Sequence, residues 1–509
     1  MSTIYVHVGQ AGNAVGEAFW TLAAKEKPTK HWLFDERGRA KAVLVDTEPK
    51  VVRGVVRALG PEKVHPRCAL VEQSGRGNNW AMGYHGVDSN SSSSSRSGGG
   101  GSSTISVTSQ RNGIAEAALE ALRWQWERCD WCSGMVLCHS VGGGTGSGLG
   151  SLLMQEARDA YPKHYLTAAA LCPFAAGELP LGHYNATLAL SYLQEFADAT
   201  LLLDNTQLLR TLTSAVATQS HSAARAAQPA RLCMKQLDAY VGRGLAGLAF
   251  PTDGVSGRRP FDPADLVSAV CPMPSMKMLS LASAPAPLAE FGSAAAPGGG
   301  AAKAAAGGSG LSGGAARPAP WDALVSEVVS RSSRYDLYER PALSLASQVI
   351  GRGVANEPPD ARSMSRLGQL LGGSPCTPFP TDWKLSTSAA TALPGSGAPR
   401  SLTLVSNRTT SGPLLEQILV RAKLQLLSRA YVHHFETYGV EADFISERAE
   451  LVQQVVDEYE GVRGAFGPAA TARSPGGLSS PTTAFQQSQQ QLAQRASMSP
   501  QPFPAATLA

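Results

Sequence analysis

The stretch Gly142-Gly143-Gly144-Thr145-Gly146-Ser147-Gly148 constrains this chain most, because of what stands on either side of it. Before it, Gly134-Met135-Val136-Leu137-Cys138 reads as a buried strand, and after it Leu149 to Ala157 reads as a helix. A flexible surface linker is the plain alternative, but such linkers seldom sit directly between a strand and a helix. Without Cβ atoms in the way, consecutive backbone N–H groups and the positive end of the helix can face a phosphate. Thr145 and Ser147 add hydroxyl donors. No Lys stands directly before a Ser or Thr, so this is not a Walker loop, and the glycine spacing is not that of the dinucleotide fingerprint.

The same order recurs upstream. Ile4-Tyr5-Val6-His7-Val8 reads as a strand, and Gly9 to Gly16 as a glycine turn entering a helix that carries Phe19 and Trp20. Gln10 and Asn13 fall where side-chain amides can reach a ligand at that helix N-terminus. The buried strand Ala42–Val45 runs into Asp46-Thr47-Glu48-Pro49. Acids at a parallel strand's end beside a phosphate loop suit Mg²⁺ and its waters, a helix cap being the simpler use of the same residues. Gly75 to Tyr84, with Asn78 and Asn79, adds a third turn of glycines and amides. Three such turns predict one nucleotide pocket at the carboxyl edge of a parallel sheet.

Downstream, Leu166–Leu171 and Ala199–Leu203 read as further strands, the second ending in Asp204-Asn205. A helical pattern returns over 232–248 with Asp238 inside it, and Asp262 to Leu266 reads as a helix cap. Strands are expected at 277–281, 343–350 and 401–406, and long amphipathic helices at 414–436 and 445–459. Four segments are too poor in apolar side chains or too repetitive to pack: 88–109, 283–319, 388–400 and the Gln/Ser/Pro/Ala tail 461–509. Residues 214–228 read as an Ala/Ser/Gln-rich extension.

A net charge of +4 is small for 509 residues and argues against bulk nucleic-acid binding. No apolar run reaches membrane-spanning length, and a soluble, intracellular protein is expected. Eight cysteines spread over this length suit a reducing compartment. Cys129 and Cys132 make a lone C-x-x-C with no second pair at ligand spacing, so ordinary thiols are expected there instead of zinc or redox chemistry.

Val8-Gly9-Gln10-Ala11-Gly12-Asn13, the Asp46-x-Glu48-Pro49 strand end, Gly77-Asn78-Asn79-Trp80-Ala81, Ser140 with the glycine loop, and Tyr184-Asn185-Ala186-Thr187-Leu188 together resemble the tubulin superfamily, in order and up to about residue 460. Ala42 to Lys50, Asn78 to Tyr84, Lys277 to Ser280 and Ala430 to Phe435 look specifically like delta-tubulin. The resemblance implies an α/β fold with a parallel-sheet GTP-binding domain over 1–228, a central helix over 229–248, an α+β intermediate domain over 249–410 and a C-terminal helical hairpin over 411–460. It implies GTP or GDP with Mg²⁺ as the ligand. By matched position, Gln10, Ala11, Ser140, Gly143, Gly144, Thr145, Gly146 and Ser147 would surround the phosphates, with Asn78 by the terminal one. Asp46 and Glu48 would lie near the metal, Glu178 at the ribose, and Asn205 and Asp238 at the guanine.

Three departures from the family stand out. Ala11 replaces the usual cysteine, and Asp238 the usual asparagine, whose carboxylate can accept from both guanine N1–H and the 2-amino group. Asp265 falls where the catalytic alpha-type subunit offers an acid to its neighbour's GTP, one methylene shorter. It reads either as a group that positions water in trans or as a helix-start acid facing the dipole. The resemblance implies other tubulins and microtubules as partners, no nucleic acid or membrane, and a place in the cytoplasm at centrioles, basal bodies or the base of cilia. A second reading, an adaptor that binds guanine nucleotide without hydrolysing it or polymerising, stands beside this one. The insert at 283–319 falls at the family's lateral-contact loop, and the tail lacks the acidic residues of alpha and beta chains. Both features favour a specialised subunit.

Overall fold

The computed structural model describes residues 2–25, 30–86, 112–175, 179–219, 232–254, 257–285, 320–332, 335–353, 359–371, 379, 381–386 and 400–466. Of the segments expected not to pack, 88–109, most of 283–319, 388–399 of 388–400, 467–509 of 461–509 and 220–228 of 214–228 lie outside these residues, as does Glu178; contrary to expectation, residues 214–219 continue the helix Asn205–Gln219 and 461–466 the helix Ala442–Phe466.

Every apolar run read as a strand forms one, and four short or polar strands that were not expected join them. Along the chain these are β1 (Ser2–Val8), β2 (Ala42–Asp46), β3 (Ala69–Val71), β4 (Cys132–Ser140), β5 (Tyr165–Cys172) and β6 (Ala199–Asp204). There follow β7 (Thr252–Gly254), β8 (Gly257–Arg259), β9 (Met278–Ala284), β10 (Ser344–Arg352), β11 (Thr381–Ser386) and β12 (Ser401–Arg408). Ten of them share one sheet in the order β11-β10-β12-β9-β6-β5-β4-β1-β2-β3, and β7 and β8 pair as a ribbon. From β3 across to β9 every neighbour is parallel. On the far side β12 runs antiparallel to both β9 and β10, and β11 lies parallel to β10. The carboxyl ends of β1, β2, β4 and β6 therefore emerge along one edge, where such sheets bind ligands.

Both faces are covered, which is why the strands read as continuous apolar runs. In β1, Ile4, Val6 and Val8 pack into a core shared with the C-terminal helices, through Leu415, Val452 and Tyr459. Tyr5 faces the opposite core with Phe19, Trp20, Tyr240 and Val241. The central helix Met234–Ala249 approaches the first helix, Gly9–Lys25, where a Cβ on Gly242 would stand 2.7 Å from the Ala18 Cβ. Among the described residues no helix is long and apolar enough to cross a membrane.

Two features depart from expectation. The amphipathic stretch 414–436 is not one helix: a helix covers Ser411–Leu427, and a four-residue turn resumes at His433–Glu436. Between them Arg429 and Tyr431 take positive φ of 49° and 62°. No Gly or Pro marks the break, and the buried Val432 and Phe435 keep the apolar pattern running through it. The helix Ala361–Leu370 and the strand β11 were not foreseen. β11 is polar apart from Trp383 and Leu385, which pack on a small core beneath Trp321.

Candidate functional site

β1 ends at Val8, and Gly9 turns the chain at φ +72° into the first helix. Gln10 at the start of that helix is exposed and faces the cleft formed along the sheet edge, with Ala11 beside it. Asn13 does not reach the cleft as anticipated. It is fully buried, and its Nδ2 donates to the carbonyls of Gly9 and Val45, both at 2.9 Å, binding the end of β1 to the end of β2.

The glycine loop leaves β4 after Ser140, whose Oγ accepts from the Gly142 N–H at 3.3 Å. A π-helical turn, Thr145–Leu149, opens the helix Gly150–Ala160. The glycines serve two different needs. A Cβ on Gly144 would meet the Arg76 carbonyl at 2.6 Å, on Gly146 the Ser140 carbonyl at 2.7 Å, and on Gly148 the Trp80 carbonyl at 2.1 Å. Those three are glycine because other backbone lies against them. Only Gly143, with nothing within 4 Å of its Cβ position, leaves space on the cleft side. The Thr145 hydroxyl shares a hydrogen bond of 2.8 Å with Thr47. Ser147 turns inward, donating its hydroxyl to the Gly143 carbonyl, and does not line the cleft. Its part is to hold the loop's shape.

Asn78 enters the cleft from a left-handed turn, φ 51°, which asparagine tolerates. Beneath it Asn185, fully buried on the helix Gly182–Phe196, donates to the carbonyls of Asn78 at 2.7 Å and Gly142 at 2.9 Å, and accepts from the Trp80 N–H at 2.8 Å. One amide thus locks two of the three glycine turns together. Asn79 caps the helix Trp80–His85 through the Ala81 N–H and reaches back to the His434 carbonyl at 2.7 Å.

The cleft so enclosed has a volume of about 380 Å³ and is lined by Gln10, Ala11, Asp46, Glu48, Asn78, Ser140, Gly143, Gly144, Thr145, Gly146, Asn205 and Asp238. Three buried polar atoms of the lining side chains have no partner, Asp46 Oδ2, Asn205 Oδ1 and His183 Nδ1. Burial raises the Asp46 carboxyl to about 6, against the opposing effect of the Glu48 and Thr47 N–H groups. Burial, with the Glu17 charge nearby, raises Asp238 to about 7. An orphaned carboxylate oxygen beside an open phosphate cradle fits a divalent cation. Mg²⁺ bound beside a nucleotide takes one or two acids together with waters and phosphate oxygens, and Asp46 and Glu48 in the lining are acids of that kind.

Sequence reasoning missed Pro173, Leu179, Gly182, His183 and Met234, which also line the cleft. They follow from the end of β5 and the start of the central helix, and nothing in their types announces a ligand. His183 is held well below the usual histidine range, to about 4, by burial and the Arg421 charge. A larger cavity, about 870 Å³, opens between the helices Asn205–Gln219 and Trp321–Arg331, but its lining has no glycine turn and no orphaned carboxylate. Asp265 lies outside the cleft on the helix Pro263–Val270, whose start is capped by Asp262, and Lys384 of β11 binds its Oδ2 at 3.2 Å.

Comparison with known proteins agrees with this arrangement. Residues 2–98 and 87–213 match the Tubulin/FtsZ family, GTPase domain. The chain is 25% identical over 505 residues to the tubulin delta chain of Canis lupus familiaris, covering 90% of this chain and 99% of that one. It is likewise 25% identical over 502 residues to the delta chain of Homo sapiens, with the same coverage. To the tubulin epsilon chain of Mus musculus it is 24% identical over 505 residues, 90% of this chain and 95% of the other.

Proposed function

We propose that this chain is a tubulin-superfamily protein similar to delta chains, that it binds GTP or GDP with Mg²⁺, and that it serves as a structural or assembly subunit of centriolar and basal-body microtubules, supporting cilium assembly. The observation that carries the nucleotide part is the meeting of the open Gly143 cradle, the orphaned Asp46 oxygen and the Asn205–Asp238 pair in one cleft. In this reading the Gly143–Gly146 backbone and Gln10 bind the phosphates, and Asn78 lies by the terminal one. Asp46 and Glu48 would hold Mg²⁺, which would neutralise phosphate charge. Asn205 and Asp238 select the base, and Ser147 and Asn185 keep the loops in place.

Hydrolysis requires a second subunit. Among the described residues the cleft's acids are assigned to the metal and the base, and its one histidine, His183, is held well below the usual histidine range by burial. Asp265, on a different surface, is the acid that a neighbour's nucleotide would meet in a head-to-tail contact. The adaptor reading draws support from the Asp265–Lys384 ion pair, which engages that acid's Oδ2.

Turnover by the purified full chain, alone and mixed with alpha/beta-tubulin, separates the two. Stimulated GTP release of phosphate supports a polymerising subunit, and binding without turnover supports the adaptor. A tagged copy expressed in ciliated cells tests the rest: concentration at centrioles and loss of triplet microtubules on depletion are expected, and a diffuse protein whose removal leaves triplets intact would contradict it.

A further inference from the structure

His139 stands one residue before the end of β4, fully buried against the turn that opens the helix Gly150–Ala160. Its Nδ1 lies 2.8 Å from the Gly146 carbonyl oxygen, and a carbonyl can only accept, so Nδ1 carries a proton. Its Nε2 is buried with no partner. A second proton there would leave a buried N–H without an acceptor, so the ring is neutral, with a lone pair on Nε2. Burial, opposed by the Gly146 hydrogen bond, likewise holds the ring well below the usual histidine range, to about 4. The ring fits because residue 150 is glycine: a Cβ there would stand 2.7 Å from Nδ1.

This contact answers a need of the turn. Thr145–Leu149 is π-helical, wider than an α-turn, and the amides that follow serve its carbonyls poorly: the Gly150 N–H is shared between the carbonyls of Gly146 and Ser147. A side chain completes each of the two. His139 donates to Gly146, and the Ser151 hydroxyl donates to Ser147 at 2.7 Å. The wide turn carries Thr145 and Gly146 into the lining of the cleft, directly after Gly143 and Gly144.

We infer that His139 is a positioning residue for the nucleotide's phosphates: by holding the Gly146 carbonyl inward, it keeps the wide turn in shape and the Gly143–Gly146 backbone aimed into the cleft. The inference rests on the cleft being a guanine-nucleotide site. A neutral ring brings no positive charge beneath the loop, which offers the phosphates its backbone dipoles.

The test compares binding of GTP and of guanosine, which lacks phosphates, to the full chain with Mg²⁺, by displacement of a fluorescent GTP analogue at a temperature where each variant is folded. His139→Leu should weaken GTP at least about tenfold and leave guanosine within about twofold of the parent. His139→Asn, whose amide Nδ2 can take the place of the Nδ1–H, should recover GTP to within about threefold of the parent. His139→Gln, nearer histidine in size but with its amide a bond further out, should behave as the leucine variant does, which covers the case of a leucine variant that does not fold. A purely structural role would weaken GTP and guanosine by the same factor, and that result would overturn the inference. So would a leucine or glutamine variant that binds GTP as the parent does, or an asparagine variant no better than those two. A parent chain that binds neither ligand would instead remove the guanine-nucleotide reading, and the inference with it.

Discussion

Replacing Asn185 with alanine removes three hydrogen bonds from a site with no access to solvent, those to the Asn78 and Gly142 carbonyls and from the Trp80 N–H. At about 1 kcal/mol net for each bond, the loss is roughly 3 kcal/mol, rising toward 5 if the stranded Trp80 N–H finds no other partner. Spread over a domain of roughly 200 residues, that is a fall in Tm of about 6–12 °C or more. A second effect is separable from the first. The same amide sets the distance between the Asn78 turn and the glycine loop, so GTP affinity measured well below the new Tm should fall at least about tenfold, because misplacement of a binding group by even about 1 Å is costly. Asn185→Leu, of similar volume but without polar atoms, should reproduce both losses. Thermal unfolding of the full chain, followed by titration with a fluorescent GTP analogue, reads both. A Tm shift under about 2 °C together with unchanged affinity would refute the assignment of Asn185 as the brace between the two turns.

Other outcomes follow from the same geometry. Gly143→Ala should fold normally and lose nucleotide affinity, whereas Gly148→Ala, whose new methyl would sit 2.1 Å from the Trp80 carbonyl, should yield little soluble protein; equal behaviour of the two would contradict the division of roles within the loop. In metal-free protein the raised carboxyl of Asp46 favours the folded state while it is protonated, so its contribution to stability should be present below about pH 4 and lost as pH rises to about 6. Adding Mg²⁺ with GDP should restore stability above pH 6, and Asp46→Asn should make the fall between about pH 4 and 6 shallower, leaving the part that the raised Asp238 carries up to about pH 7, and remove the Mg²⁺ response in unfolding scans. Asp265→Ala should leave GTP binding intact and abolish any turnover stimulated by alpha/beta-tubulin; unchanged stimulation would remove Asp265 from the reaction.

The inner strands of the nucleotide-facing half were legible because each is buried on both faces and so appears as an uninterrupted apolar run, whereas the short, partly exposed edge strand β3 was not. Their glycine turns were legible as a set, but the reason for each glycine was not. Gly144, Gly146 and Gly148 are required by the backbone of Arg76, Ser140 and Trp80, which arrive from elsewhere in the chain. Likewise Asn13 and Ser147 carry side chains suited to a ligand and spend them on the protein's own carbonyls. Residue type cannot distinguish these uses, since an amide or hydroxyl serves a phosphate and a buried carbonyl equally well. The bend after Leu427 was hidden by an apolar pattern that continues through Val432 and Phe435. β11 was hidden by its polarity, and with it the Lys384 that binds Asp265.

The central claim is that one cleft at the carboxyl edge of the sheet holds a guanine nucleotide. Denaturing the freshly purified full chain and separating the released small molecules by chromatography tests it most directly. The structure predicts GDP or GTP close to one per chain, lost on Asp238→Ala and Gly143→Ala while Tm without added nucleotide stays within about 2 °C of the parent. Mainly adenine nucleotide, or none under conditions where the chain remains folded and Mg²⁺ is present, would contradict it.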